Sequence, residues 1–179
     1  MNEAYAYDRG AKAFHWTMAA IIIVAIGIGL YAADLPQGAP DRRFLLAIHK
    51  SLGMTALLLL PLRFVWRMAK GEPSWRHPLP PLAHAAAKAG HMALYALMLV
   101  TPATGYATSA AGGYPLDWFG LFSFPRLMAE NKALSKSLGS VHEYLGWTIA
   151  IVVAGHAGAA LWHQFFKKDE TLGRMTSSM

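Results

Sequence analysis

Val141–His156, VHEYLGWTIAIVVAGH, is the stretch whose reading decides the fold. His142 and His156 stand fourteen positions apart near its two ends, with Glu143 the one charged residue between them. Fourteen residues of α-helix rise about 21 Å and complete almost four turns. Both imidazoles therefore point the same way, at two depths of an apolar layer about 30 Å thick. Ionisable side chains are costly inside lipid and mark ion, proton or electron routes. A buried neutral imidazole is also a standard axial ligand of haem iron. The spacing predicts two haems, one above the other, across a membrane.

The remaining sequence supports that setting. The 179 residues are 55% hydrophobic and 15% charged, where a soluble domain carries about 25% charged residues. Residues 14–33, 89–108 and 144–162 contain no Asp, Glu, Lys or Arg, and each is long enough to span. A further segment, about 44–66, holds Lys50 and Arg63 near its ends, where long basic side chains reach the interface. The expected fold is all-α: one domain over residues 1–179, an integral membrane four-helix bundle with helices at about 14–33, 44–66, 85–108 and 139–166. No internal repeat is apparent. The first apolar segment lacks a small-residue cleavage site at its end and reads as a retained anchor. With no cysteine, disulfides, thiolate haem ligation and iron–sulfur clusters are excluded.

Charge sets the expected orientation. Four spans put Arg9, Lys12, Arg63, Arg67, Lys70, Arg76, Lys88, Lys167, Lys168 and Arg174 on one side, against six basic residues on the other. By the positive-inside rule both termini are cytoplasmic. The net charge of +6 thus reads as topology, not as nucleic-acid binding. The long connection at about 109–137 carries Tyr114, Trp118, Phe119, Phe122 and Phe124, which suit the membrane interface.

Depth sorts the histidines at about 1.5 Å per residue. In the outer half His49 and His142 are the only intramembrane histidines, so they form the expected outer pair. The inner half offers His15, His91, His156 and His163. His15 with His156 is the expected inner pair, with His91 in reserve. His163, on the same face at the cytoplasmic interface, is a candidate for a quinone or a haem propionate. Gly53, Gly146, Gly155 and Gly158 lie close to these histidines and either make room for a flat macrocycle or line ordinary helix contacts. Arg63 and Arg67 are candidate propionate partners or positive-inside anchors. Arg42 and Arg43, with Lys50, steer an anion toward the outer site or form a solvated edge.

The motifs YDRGAKAFHW (7–16), DRRFLLAIHKSLG (41–53), LAHAAAKAGHMALY (82–95) and SVHEYLGWTIAIVVAGHAGAALWHQFFKKDETLGRM (140–175) resemble the bacterial cytochrome b-561 family, over essentially the whole chain. The resemblance implies two haem b groups with iron held by His15, His49, His142 and His156. It implies a multi-pass protein of the bacterial inner membrane that moves electrons between a one-electron partner and quinone. It is strongest to members that take an electron from superoxide on the periplasmic side and pass it to ubiquinone. Arg42 matches that pattern, and His163 matches a histidine near the quinone end. In the connection between helices 3 and 4 only WFGL matches. The competing expectations are an electron-transfer subunit serving a dehydrogenase or hydrogenase partner, and a colourless transporter or scaffold.

Overall fold

The computed structural model describes residues 5–176. Four long helices dominate it: α1 (Arg9–Asp34), α2 (Pro40–Lys70), α3 (Pro81–Ala111) and α4 (Lys132–Trp162). Each runs several residues beyond the apolar core expected from sequence, because local chemistry starts and stops it outside the apolar run. The Asp8 carboxylate caps α1 by accepting from the amides of Gly10 and Ala11 at 2.9 and 3.1 Å. Proline opens α2 and α3, where a missing N–H costs nothing. Gly71, at φ 72°, closes α2. The Asn131 side chain accepts from the Leu134 amide at 3.0 Å, so α4 begins at Lys132, seven residues before the expected start at 139.

α1 and α2 form one antiparallel hairpin, α3 and α4 another, and α2 packs on α3. A buried layer of Met18, Leu60, Leu97, Met98 and Ile149 joins all four helices at mid-height. Ile149 lies seven residues from each α4 histidine, so this apolar layer separates two histidine levels. Outward-facing residues are apolar on every helix, among them Ile23, Leu58, Leu99 and Ile151. Helices α1, α2 and the α4 segment Lys132–Lys167 are long and apolar enough to cross a membrane. The third expected span falls outside that set: α3 is rich in Ala, Gly and Thr and carries His84, Lys88 and His91.

Connection 112–131 holds a two-stranded antiparallel hairpin, β1 (Asp117–Trp118) and β2 (Phe122–Ser123). It folds back onto α2: Trp118 Nε1 donates to Thr55 at 3.0 Å, and Ser51 accepts from the Phe119 amide at 3.0 Å. At the opposite end the first and last described segments of the chain meet. The Tyr7 amide donates to the Arg174 carbonyl at 3.0 Å. Arg174, 3% exposed, lies 3.7 Å over the Trp75 ring and 3.8 Å from Glu72. The end with the termini is the inner end below, the hairpin end the outer. A π-helical turn, His163–Lys167, and a short α5, Gly173–Thr176, complete the inner end.

Candidate functional site

At the outer level His49 of α2 faces His142 of α4, with ring centres 5.9 Å apart and planes at 74°. Each ring is seated on the neighbouring helix. His49 Nδ1 lies 2.8 Å from the Ala25 carbonyl and His142 Nδ1 2.9 Å from the Thr101 carbonyl. A carbonyl only accepts, so both imidazoles donate through Nδ1 and leave Nε2 free as a ligand. Pro102 removes one rung of the α3 ladder beside Thr101. The seats depend on two glycines. A Cβ on Gly29 or on Gly105 would lie 2.8 Å from the His49 or His142 ring.

At the inner level His15 of α1 and His156 of α4 stand 6.2 Å apart, with planes at 61°. His91 of α3 also faces His156, at 5.3 Å. Here the second contact differs. Arg63 Nη2 lies 3.1 Å from His15 Nδ1, and the guanidinium sits 5.6 Å above the Tyr95 ring. The Tyr95 hydroxyl is buried there with no hydrogen-bond partner among the described residues.

The other expected site residues divide. Arg67 is held by Tyr7, at 3.1 Å, and by Glu72, at 3.3 Å. His163 opens the π-helical turn, with Nδ1 2.5 Å from the Asp169 carboxylate. Burial alone would raise the Asp169 carboxyl, but hydrogen bonds from His163 and Thr171 outweigh it and hold the group below the usual carboxylate range. Arg42 and Arg43 sit in the first turn of α2, at the outer end. Arg42 Nε is buried and unpartnered among the described residues. Lys50 donates to the Pro115 carbonyl at 2.9 Å. Of the expected glycines, Gly53 meets only Pro102, at 3.9 Å, and Gly146, Gly155 and Gly158 border open space.

Sequence reading missed Gly29 and Gly105, although the signal was present. Gly29 lies fourteen residues after His15 and Gly105 fourteen after His91, the same spacing as His142 to His156. Arg63 lies fourteen after His49. The two hairpins therefore repeat one plan: a histidine then a glycine on the first helix, and a histidine at the outer level of the second. At the inner level of that second helix the plan breaks, with Arg63 in one hairpin and His156 in the other.

A metal held between two imidazoles, with metal–nitrogen bonds of about 2 Å, separates the ring centres by about 6 Å. The His49–His142 and His15–His156 pairs have that separation, at 5.9 and 6.2 Å; the outer imidazoles already present the required tautomer, whereas His15 Nδ1 accepts from Arg63. The residues fit bis-imidazole haem. Paired imidazoles at two levels of an apolar helical bundle define a class, the membrane-embedded haem electron carriers.

Sequence comparison gives the family. The chain matches the model for prokaryotic cytochrome b561 over residues 6–178 and belongs to that family of haem-b membrane electron-transfer proteins. It is 35% identical to "Cytochrome b561 homolog 2" of Escherichia coli strain K12, over 97% of this chain and 93% of that protein. "Cytochrome b561 homolog 1" of the same strain is 28% identical, over 90% and 91% of the two chains. "Probable superoxide oxidase CybB" of Yersinia pestis is 29% identical, over 90% of each.

Proposed function

We propose that the protein carries single electrons across the bacterial inner membrane, from superoxide on the periplasmic side to ubiquinone at the cytoplasmic side. The observation that carries this is the pair of facing imidazole couples, at 5.9 and 6.2 Å, on opposite sides of one apolar layer. His49 and His142 hold one haem b, and His15 and His156 the other. Bound haem supplies the one-electron chemistry. The chain supplies ligands, their spacing and the surrounding charge.

All four long helices span in this scheme, α3 included, since its outward residues Met92, Leu99 and Val100 are apolar and exposed. Both termini are cytoplasmic, in keeping with ten basic residues against six. At the outer end Arg42, Arg43 and Lys50 attract the superoxide anion through their charge. At the inner end the Tyr95 hydroxyl is open to a haem carboxylate, whereas Arg67 is occupied by Tyr7 and Glu72. His163, oriented by Asp169, faces the quinone and hands on a proton through its other ring nitrogen. Two superoxide anions lose one electron each and leave as two molecules of dioxygen. Those two electrons and two protons from the cytoplasmic side convert one ubiquinone to ubiquinol. The relative named a probable superoxide oxidase supports this donor.

The test is superoxide-driven ubiquinone reduction by detergent-purified protein, with haem counted per chain. Two haems and a quinol yield of one per two superoxide anions are expected. Two haems with no reduction by superoxide would refute this donor and leave only the electron-carrier assignment.

A further inference from the structure

We propose that the residues behind the histidines set the direction of electron flow. The Ala25 and Thr101 carbonyls make the outer level the poorer electron acceptor, and Arg63 makes the inner level the better one. This rests on the assignment of one haem to each level.

The outer level has two equivalent halves. His49 on Ala25 with Gly29 beneath matches His142 on Thr101 with Gly105 beneath. An imidazole that donates Nδ1–H to a carbonyl becomes a more basic ligand at Nε2. More basic ligands favour the oxidised, more positive iron. Both ligands of the outer level are pushed this way, and both acceptors are backbone carbonyls, fixed by helix geometry.

The inner level has no such seat. Neither His15 nor His156 has a hydrogen bond to a backbone carbonyl among the described residues. Arg63 occupies the position that repeats His156 in the other hairpin, and it puts a permanent positive charge 3.1 Å from His15. Guanidinium only donates and keeps its proton in proteins, so it adds no electron density to the ring. A metal on His15 Nε2 puts the ring proton on Nδ1, where Arg63 can no longer donate; the guanidinium then turns off the ring nitrogen and acts through charge, kept in the cluster by the Tyr95 ring. Among the described residues no carboxylate pairs with Arg63, whereas Arg67 and Arg174 both share Glu72. A fixed cation favours the state with one positive charge fewer, and more so where water is excluded. An electron arriving at the outer level is thus drawn to the inner level and toward the terminus-bearing end.

The experiment is a spectroelectrochemical titration of the haem-loaded protein and its Arg63→Gln and Arg63→Lys variants, with haem counted per chain. His142→Ala, which keeps only the inner ligand pair, assigns the components. The inner component is expected to be the higher in potential. Arg63→Gln should shift the electron partition between levels at least tenfold toward the outer one, equivalent to 59 mV for a one-electron couple. Arg63→Lys should stay within a few-fold of the parent. A shift under twofold in Arg63→Gln, or an equal shift in Arg63→Lys, overturns the proposal. So does loss of one haem in Arg63→Gln alone, which would make Arg63 a holder of the group. One haem in the parent protein would instead overturn the two-haem assignment, and the haem count separates the two failures.

Discussion

Replacing Gly29 by alanine is the sharpest perturbation the structure offers. The added Cβ would lie 2.8 Å from His49 Cε1 and 2.9 Å from Nδ1. Carbon contacts settle at about 3.5–4.0 Å, so the ring or α1 must retreat by roughly 1 Å. A retreat of that size stretches the 2.8 Å contact between His49 Nδ1 and the Ala25 carbonyl past hydrogen-bonding range. Overpacking costs about 1–3 kcal/mol, and the lost hydrogen bond about 1 kcal/mol more. Alanine regains up to about 1 kcal/mol of helix propensity over glycine. The net, about 1–3 kcal/mol, weakens ligand presentation at the outer level by about 5- to 150-fold at 1.4 kcal/mol per tenfold. Gly27, two residues away with nothing within 4 Å of its Cβ position, is the matched control. Purified Gly29→Ala should carry about one haem per chain or show a shifted outer-level spectrum, while Gly27→Ala matches the parent. Equal haem content and identical spectra for both variants would refute the glycine-seat argument.

Gly105→Ala should reproduce that defect through His142, whose ring its Cβ would meet at 2.8 Å, and the double variant should be no worse than twofold beyond either single one if both act on one group. Arg174→Ala should loosen the inner-end cap by about 2 kcal/mol or more, since it removes a buried cation stacked at 3.7 Å on Trp75; faster proteolysis of the C-terminal tail checks this, and Arg174→Lys should not restore it. The depressed Asp169 carboxyl stabilises the tail fully above the unfolded carboxylate value, about pH 3.9, and the contribution fades as pH falls below it. Hydrogen-exchange protection over residues 168–174, taken relative to the unstructured rate at each pH, should therefore fall below about pH 4 in the parent and change much less with pH in Asp169→Asn.

The helical class and the four long helices were legible from the apolar segments, and the two histidine levels from the fourteen-residue spacing of His142 and His156. Helix ends were less legible, because Asp8, Pro40, Pro81 and Asn131 start their helices in polar sequence that a hydropathy pattern does not weigh. The hairpin at Asp117–Ser123 had no periodic signal: two residues per strand are too few for alternation, and its fixing contacts to Ser51 and Thr55 are distant in sequence. The glycine seats failed for another reason. The glycines near the histidines in sequence are not the ones beneath the rings: each ring reaches across to the next helix, so the relevant glycines stand on α1 and α3. The tail contact between His163 and Asp169 depends on a π-helical turn and on Lys168 at φ 53°, which no local composition announces.

The repeated plan explains why tuning sits at one level. At the outer level both halves use a backbone carbonyl to hold the ring, and a backbone carbonyl is not changed by substituting its own side chain. Those carbonyls move only if the glycine four residues on is filled, and then the ligand itself is displaced. At the inner level the second contact is a side chain, Arg63, in the position that the other hairpin gives to His156. On the proposed ligand set, one hairpin uses that position for binding and the other for charge. The electron affinity of the inner level can vary with a single residue while both ligand pairs stay in place. On the proposed assignment, a bundle whose two hairpins share their histidine and glycine positions gains a preferred direction at the one of these positions that differs, Arg63 against His156.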